Sequence, residues 1–369
     1  MDFVEPAYGD RSLGDLLPAV ARALRVDAGL PPSSIELPPA DRYVVFLVDG
    51  LGYEQLRDHP EQAPFLHERL DRSLTVGVPS TTATSLTSFG TALTPGTHGI
   101  VGFTSRIPGT DDLLNALTWS KSVDPREWQP HPTGLGRLAA AGVRTTVVNK
   151  REFAGSGLTV AGQRGAEFVG ADKVGERMAA VLAAASDGPS VTYMYDGDLD
   201  WTGHRYGVAS TSWQLQLSMI DAAVEQLRET LPENVRIVVV ADHGMVDSPD
   251  DARLDVDEQP ELLDGVALLG GEARFRHLYC RGRAVDDVLA TWRASLGERA
   301  DVLTRDEAIA RGWFGSVTAA VRPRIGDVVV AAHGDLAVLS SQAFPYEARL
   351  VGLHGSLTSA EMLIPLLVL

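Results

Sequence analysis

Short, uninterrupted apolar runs recur along the chain, and polar residues follow most of them. The runs are Tyr43–Val48, Val143–Val148, Val191–Tyr195, Val235–Ala241, Asp327–Ala332 and Met362–Leu369. Apolar runs without alternation are typical of strands that are buried on both faces of a sheet. Helical patterns lie between them, for example in Val174–Ala185 and Trp213–Thr230. The alternation predicts an α/β fold with a mostly parallel central sheet and helices on both faces.

Three parts of the chain differ in pattern. Residues 1–40 contain a short helical segment, Leu13–Leu24, and a proline-rich connector, and we expect an N-terminal strap. Residues 251–345 contain a strand-like stretch at 275–280 and a helical stretch, Val285–Leu296, which together predict a small inserted α/β subdomain that caps the site. Residues 41–250 and 346–369 would then form the catalytic domain.

The charge balance limits the possible partners. The chain has 369 residues, of which 44% are hydrophobic, and a formal net charge of −17. Such an acidic chain is poorly suited to bind a nucleic-acid polymer or an anionic membrane surface, since both need clustered Lys and Arg. If the substrate is an anion, local positive charge must overcome the acidic background.

Cysteine content and hydropathy favour an intracellular, soluble protein. Cys280 is the single cysteine, which rules out an intramolecular disulfide and a thiolate metal cluster. The first residues have no basic start followed by an apolar run, and no apolar stretch reaches the roughly 18 residues of a spanning helix. We therefore expect a cytoplasmic enzyme without a membrane partner; the sequence does not indicate the oligomeric state.

Polar residues at the ends of two predicted strands are candidates for chemistry. Asp49 follows Tyr43–Val48, and Asp242 and His243 follow Val235–Ala241. In open parallel sheets the carboxyl ends of the strands form the ligand-binding edge. Asp49 alone is more typical of a simple turn. Asp242 and His243 are a stronger signal, because two adjacent polar side chains at a buried strand end are costly unless something binds them.

A second set of candidates lies further along the chain. Asp200 and His204 are four residues apart and can reach one centre from a helical turn, and His354 precedes the last predicted strand. Carboxylate and imidazole ligands without thiolates suit Zn²⁺, and less well Mn²⁺ or Fe. The combined set can hold two metal ions and consists of Asp49, Asp200, His204, Asp242, His243 and His354.

A hydroxyl-rich segment follows Pro79 and leads into a predicted helix that ends near Leu93. Ser and Thr at the start of a helix usually cap it. The alternative is a nucleophile at the helix N-terminus, where free backbone N–H groups favour an anion.

At this point a family resemblance is clear. The stretches "VVFLVDGLG", "PSTTATSLTSFGTALTPGTHGI", "YDGDLDWTGHRYG", "VVVADHGM" and "LHGS" resemble, in order, the motifs of the alkaline phosphatase superfamily and, within it, of the type I phosphodiesterase/nucleotide pyrophosphatase family. The matches span roughly residues 43–245 and 350–369. The resemblance implies a metal-dependent hydrolase that cleaves phosphodiester or nucleotide pyrophosphate bonds in a small phosphorylated substrate.

The resemblance also implies residue roles. Thr82 would be the nucleophile and form a phospho-threonine intermediate, with one Zn²⁺ held by Asp49, Asp242 and His243 and another by Asp200, His204 and His354. The register of the family motif selects Thr82 over Ser80 and Thr81. Motif spacing favours Asp200 over Asp196 and Asp198, and position in the chain favours His354 over His333.

Two departures from the family pattern affect the substrate. Phe103 stands where the family has an Asn that binds a phosphoryl oxygen, and Ala83 stands where an aromatic residue stacks on the nucleobase. Asn149 and Lys150 are our candidates for the missing donor, while Tyr195 does match an aromatic position of the family pocket. A phosphomonoesterase or a phosphonate hydrolase resembling phosphonoacetate hydrolase is therefore the main alternative. A non-catalytic metal- or phosphate-binding protein is a third reading.

Overall fold

Two sheets organise the molecule. The computed structural model describes residues 3–208 and 210–369. Within these ranges the main strands are β1 (Arg42–Val48), β2 (Arg144–Asn149), β3 (Glu167–Gly170), β4 (Ser190–Asp196), β5 (Val235–Val240), β6 (Val266–Glu272), β7 (Phe275–Cys280), β8 (Ala300–Thr304), β9 (Val328–Ala332) and β10 (Leu367–Val368).

The central sheet has the strand order β10-β5-β1-β4-β2-β3 in the described part of the chain. Strands β1 to β5 run parallel to one another, and β10 pairs antiparallel with β5. Every residue from Tyr43 to Val48 is at most 1% exposed, although successive side chains point to opposite faces of the sheet. Both faces of β1 are therefore covered, as the uninterrupted apolar run predicts, and the α/β fold class is confirmed.

Helices cover the sheet and connect its strands. The longer ones are α1 (Leu16–Ala23), α2 (Thr82–Thr91), α3 (Gly134–Ala140), α4 (Gly157–Gln163), α5 (Val174–Ala184), α6 (Asp198–Tyr206), α7 (Thr211–Thr230), α8 (Val285–Leu296) and α9 (Arg305–Ala310). Shorter helices are Tyr53–Arg57, Pro64–His67, Pro95–His98, Pro125–Trp128 and Ser359–Met362. Helix α8 has the predicted bounds, and α5 and α7 differ from their predictions by one or two residues.

Short strand pairs complete the fold. Ser73–Thr75 pairs with Leu363–Pro365, Thr104–Arg106 with Leu113–Asn115, Val246–Asp247 with Gly352–Leu353, and Arg253–Asp255 with Ala337–Leu339. The predicted final strand, Met362–Leu369, is thus divided between two sheets. Strand β3 was not predicted, because it is a short edge strand without a continuous apolar run.

The second sheet is antiparallel and has the order β6-β7-β9-β8 among the described residues. The predicted strand Asp327–Ala332 belongs here as β9 and not to the parallel series. Its Val329 and Ala331 pack into the main core, whereas Val328 and Val330 pack into a second cluster around Trp292. One face of the second sheet is therefore part of the main core, and the domain boundaries at residues 251 and 345 stay a prediction.

The N-terminal segment packs on the rest of the molecule. Leu16, Leu17 and Val20 of α1 are fully buried in the main core. The hydroxyl of Tyr8 donates to the carbonyl of Trp313 over 2.8 Å and accepts from the N–H of Val78 over 3.1 Å. Residues 1–40 were predicted to be a strap; residues 1 and 2 lie outside the described residues, and the boundary at residue 40 stays a prediction. Among the described helices, none is long and apolar enough to cross a bilayer.

Candidate active site

The N-terminus of α2 presents a threonine hydroxyl at the carboxyl edge of the central sheet. Thr81 occupies the position before the helix and makes no capping hydrogen bond, and the hydroxyl of Ser80 donates instead to the carbonyl of Ser356 over 2.6 Å. The first N–H groups of α2 are thus left without a side-chain cap, which suits an anion. The Oγ1 atom of Thr82 lies 3.2 Å from Nε2 of His243.

Asp49, Asp242 and His243 form one compact group at the ends of β1 and β5. One ligand atom from each lies within 4.8 Å of the others. Nε2 of His243 is 3.3 Å from Oδ1 of Asp49 and 3.6 Å from Oδ2 of Asp242. Backbone N–H groups of Gly50 and His243 both donate to Oδ1 of Asp242 over 3.1 Å, which fixes that carboxylate.

Gly50 lets the two parts of the site approach each other. Its φ is +75°, and a Cβ atom there would lie 3.0 Å from Cα of Asp200. Glycine is the residue that accepts both this backbone conformation and this close contact. The turn predicted after β1 therefore also brings Asp200 of α6 next to Asp49.

Asp200 is the centre of the second group. Nε2 of His204, one helical turn further along α6, lies 3.4 Å from Oδ2 of Asp200, and Nε2 of His354 lies 3.9 Å from Oδ1. The ligand atoms of Asp200, His354 and His243 lie within 4.8 Å of one another. All six predicted ligands are thus brought together, but His243 belongs to both candidate groups and His204 belongs to neither, although it lies beside Asp200 and His354. The predicted three-and-three division of the ligands stays a prediction.

The three imidazole rings each use Nδ1 to bind a backbone carbonyl. Nδ1 of His243 bonds the carbonyl of Gly244 over 2.9 Å, Nδ1 of His354 that of Ser80 over 2.9 Å, and Nδ1 of His204 that of Gly352 over 2.7 Å. A carbonyl oxygen can only accept, so Nδ1 carries the proton in each ring and the Nε2 lone pair faces the site. Metal-binding histidines are usually held in this way.

Each of the three carboxylates has one oxygen atom without a hydrogen-bond partner in the described ranges. Among the described residues, Oδ1 of Asp49, Oδ1 of Asp200 and Oδ2 of Asp242 are buried without a hydrogen bond. Burial, and then the neighbouring carboxylates, raise the pKa of Asp49 well above its ordinary value, and burial raises the pKa of Asp242. Burial, together with His243 and His204, holds the pKa of His354 well below its usual range. Neutral imidazoles and unpaired carboxylate oxygens fit divalent cations, which would provide the missing positive charge.

Two adjoining cavities open beside Thr82. The smaller has a volume of about 170 Å³ and is lined by Asp49, Asn149, Phe153, Tyr195 and other residues. The larger, of about 650 Å³, borders His204, His354, Lys150 and Phe103. The predicted substrate-binding residues therefore all face this region.

Their contacts suggest different roles. The hydroxyl of Tyr195 donates a short hydrogen bond to Oδ2 of Asp49, so Tyr195 orients the side chain of a predicted metal ligand. Oδ1 of Asn149 accepts from the N–H of Lys150 over 2.8 Å, which leaves the amide nitrogen as the donor. Nζ of Lys150 is 3.1 Å from Oδ1 of Asp198.

The residues that motif spacing disfavoured have other partners. Asp196 forms a buried ion pair with Arg177 over 2.6 Å, and Asp198 pairs with Lys150. His333 bonds Asp301 over 3.0 Å and stacks on Phe3. None of the three takes part in the two candidate metal groups found among the described residues.

Glu272 was missed by the sequence reasoning. It ends β6, is 7% exposed, borders the larger cavity, and has Oε2 3.9 Å from Nδ1 of His354. Burial raises its pKa to about 8, although hydrogen bonds from Thr81 and from the N–H of Phe103 act in the opposite direction. The signal was the same as at Asp49, since an acidic residue ends a largely apolar strand.

Comparisons with known proteins agree with this geometry. The family described as type I phosphodiesterase / nucleotide pyrophosphatase matches residues 43–357. No curated protein is detectably similar in sequence.

Solved structures share the fold. Murine ectonucleotide pyrophosphatase/phosphodiesterase 5 is 16% identical, with a TM-score of 0.69 over 88% of this chain and 87% of that chain. An inactive threonine-to-alanine variant of the murine protein, in complex with AMP, is 17% identical, with a TM-score of 0.69 over 88% of this chain and 87% of that one. The human protein is 15% identical, with a TM-score of 0.69 over 89% and 87%. The chain belongs to the type I phosphodiesterase/nucleotide pyrophosphatase family and is a phosphoryl-transfer hydrolase of that type.

Proposed function

We propose that this protein cleaves phosphodiester or nucleotide pyrophosphate bonds through a phospho-Thr82 intermediate, with two zinc ions as cofactors. The observation that carries the proposal is the position of Thr82. Its hydroxyl lies at an uncapped helix N-terminus and 3.2 Å from Nε2 of His243, the residue shared by the two candidate metal groups.

The site would bind a phosphate anion despite the acidity of the chain. Asp49, Asp242 and His243 would hold one cation, and Asp200, His204 and His354 the other. Two divalent cations outweigh three carboxylates when the imidazoles are neutral, so the local charge becomes positive. Bound zinc would lower the pKa of a coordinated hydroxyl and polarise the phosphoryl oxygens.

The chain's own groups would position the reaction. The free N–H groups at the start of α2 would hold a phosphoryl oxygen, and the amide nitrogen of Asn149 would replace the donor lost at Phe103. Oγ1 of Thr82 would attack phosphorus while the leaving oxygen departs on the opposite side. Water would then hydrolyse the phospho-threonine and release the second product.

The size of the cavities favours a diester or pyrophosphate over a small phosphonate. A cavity of about 650 Å³, beside a second one of about 170 Å³, lies within the range of roughly 300–1,000 Å³ that is typical of sites for drug-sized ligands. The complex of the inactive murine variant with AMP also supports a nucleotide substrate. Manganese or iron in place of zinc and a cytoplasmic location stay predictions from the sequence.

One experiment separates the alternatives. Zinc-loaded protein would be assayed with thymidine 5′-monophosphate 4-nitrophenyl ester, 4-nitrophenyl phosphate and phosphonoacetate. We expect the diester to be hydrolysed with the highest kcat/KM. Preference for the monoester or for phosphonoacetate would favour the alternative activities, and no turnover of any substrate would contradict the proposed activity.

Variants of α2 test the nucleophile. Thr82→Ala should lose at least about 10³-fold in kcat while its metal content stays unchanged. Thr87→Ala is the matched control, because its hydroxyl only donates to the carbonyl of Ala83 within the same helix. Wild-type protein that is acid-quenched during turnover of the thymidine diester should carry a thymidylyl group, bonded through phosphorus, on Thr82 by peptide mass spectrometry. Full activity of Thr82→Ala would refute the assignment.

A further inference from the structure

One wall of the larger cavity carries arginines that have no acidic partner. Arg205 and Arg349 both border this cavity on the side of His204. Arg205 donates to the hydroxyl of Tyr206 over 3.1 Å and lies over the ring of Trp201. Within the described ranges, Arg349 has neither a side-chain hydrogen bond nor an ion pair.

Other arginines near the cavity contrast with Arg349. Arg177 pairs with Asp196 over 2.6 Å, Arg274 pairs with Glu361 over 2.7 Å, and Arg276 forms a short ion pair with Glu347. The chain as a whole carries a net charge of −17, so acidic partners are plentiful. Cations that stay unpaired beside a phosphate-binding site are therefore available for a substrate anion.

The backbone around Arg349 is firmly held. The guanidinium of Arg253 donates to the carbonyl of Ala348 over 3.2 Å and to that of Leu350 over 2.6 Å. Glu347 is fixed by its buried ion pair with Arg276. The backbone that carries the exposed Arg349 side chain is thus preorganised, which lowers part of the entropic cost of binding a ligand.

The wall is tied to the second candidate metal group. The N–H of Val351 donates to the carbonyl of His204 over 2.7 Å, and Nδ1 of His204 bonds the carbonyl of Gly352. The smaller cavity borders Thr82 and Asp49 but not Arg349. An ester whose retained part fills the smaller cavity would direct its leaving group into the larger one, toward Arg349.

We propose that Arg349, assisted by Arg205, binds a second anionic group, a phosphate or a carboxylate, in the leaving group of the substrate. This inference rests on the proposed function and narrows it, because it selects esters with a charged leaving group over those with a neutral one. The guanidinium fork suits both anions. Tyr346 and Trp201, each 58% exposed, border the same cavity and offer apolar faces to the rest of the leaving group.

The test uses three substrates that share the thymidylyl group and differ in the leaving group. These are thymidine triphosphate, the 4-carboxyphenyl ester and the 4-nitrophenyl ester of thymidine 5′-monophosphate. Arg349→Gln should lower kcat/KM for the triphosphate about tenfold or more and change it less than about twofold for the nitrophenyl ester. If kcat/KM falls for both the carboxyphenyl ester and the triphosphate, Arg349 forms a general anion site. If kcat/KM falls for the triphosphate alone, Arg349 forms a phosphate site.

Controls keep the outcomes distinct. Arg349→Lys should restore part of the loss, and Arg283→Gln removes an exposed cation outside the cavity and should change no substrate. Zinc-loaded Thr82→Ala should bind α,β-methylene-thymidine triphosphate about tenfold more tightly than the Thr82→Ala, Arg349→Gln double variant does. Equal losses for all three substrates, or an equal effect of Arg283→Gln, would overturn the inference. If the wild type hydrolyses none of them, the proposed function itself fails.

Discussion

Replacing Asp242 by Asn should change stability in opposite directions without and with metal. Asp242 and Asp49 are 0% and 2% exposed, and their candidate ligand atoms lie within 4.8 Å. An Asn keeps the oxygen that accepts from Gly50 and His243 and replaces the unpartnered Oδ2 by an NH₂ group. The substitution therefore removes a buried negative charge and leaves the backbone contacts in place.

The magnitude follows from the distance. Two unit charges no more than 4.8 Å apart repel each other by at least about 3.5 kcal/mol at an effective dielectric constant of about 20. Burial raises the pKa of both carboxyls above the ordinary value of 3.8, so the metal-free fold loses stability as the pH rises above that value. Asp242→Asn should thus raise the free energy of unfolding by about 3 kcal/mol at pH 8 and hardly at pH 3.5.

With metal bound, the wild type should be more stable than Asp242→Asn. A ligand at a thousandfold excess over its Kd stabilises the fold by about 4 kcal/mol, and Asn is a poorer ligand than a carboxylate. The assay is urea unfolding followed by tryptophan fluorescence, in EDTA and in excess zinc, at both pH values. The matched control is Asp196→Asn, which breaks the buried pair with Arg177 and should destabilise the fold at pH 8 both in EDTA and in excess zinc. A destabilised Asp242→Asn in EDTA at pH 8, or equal stabilisation of wild type and variant by zinc, would refute the reasoning.

Three further substitutions test the surroundings of the site. Tyr195→Phe removes the donor to Asp49 and should weaken zinc binding about tenfold in competition with a chelator, whereas unchanged affinity would contradict this role. The raised pKa of Glu272 means that its ionisation destabilises the metal-free fold, so the wild type should lose up to about 5 kcal/mol of unfolding free energy between pH 4.5 and about 8 through this group. Glu272→Gln should abolish that loss. Identical pH profiles of unfolding for the two proteins would contradict this. Arg276→Met should lower the free energy of unfolding by about 3–5 kcal/mol, because it leaves Glu347 buried without its partner. Adding Glu347→Gln should restore part of this free energy in the same unfolding assay. No recovery would mean that the loss has another origin.

The central sheet and much of the site could be predicted because they depend on local patterns. An apolar run sets a buried strand, and the polar residue that ends it lies at the carboxyl edge, so Asp49 and Asp242 could be located from the sequence. Asp200 and His204 are one helical turn apart and needed no long-range information. Their convergence with His354 depended on the family resemblance and not on spacing alone.

Other parts depend on contacts between distant segments. Strand β9 has the same apolar pattern as the parallel strands, yet it pairs with β7 and β8 in the antiparallel sheet. The position of Arg349 depends on Arg253, 96 residues earlier in the chain, whose side chain holds the carbonyls on both sides of it. His243 belongs to both candidate groups because of differences of a few ångströms between side-chain atoms, and the spacing of residues in the sequence does not determine such distances.

The most direct test of the central claim is the zinc content of the purified chain. Wild-type protein would be saturated with zinc, passed through gel filtration and analysed by inductively coupled plasma mass spectrometry, beside Thr82→Ala and Asp242→Asn. We predict about two zinc ions per chain in the wild type and in Thr82→Ala, and fewer in Asp242→Asn. A chain that hydrolyses diesters but retains no divalent metal would contradict the account.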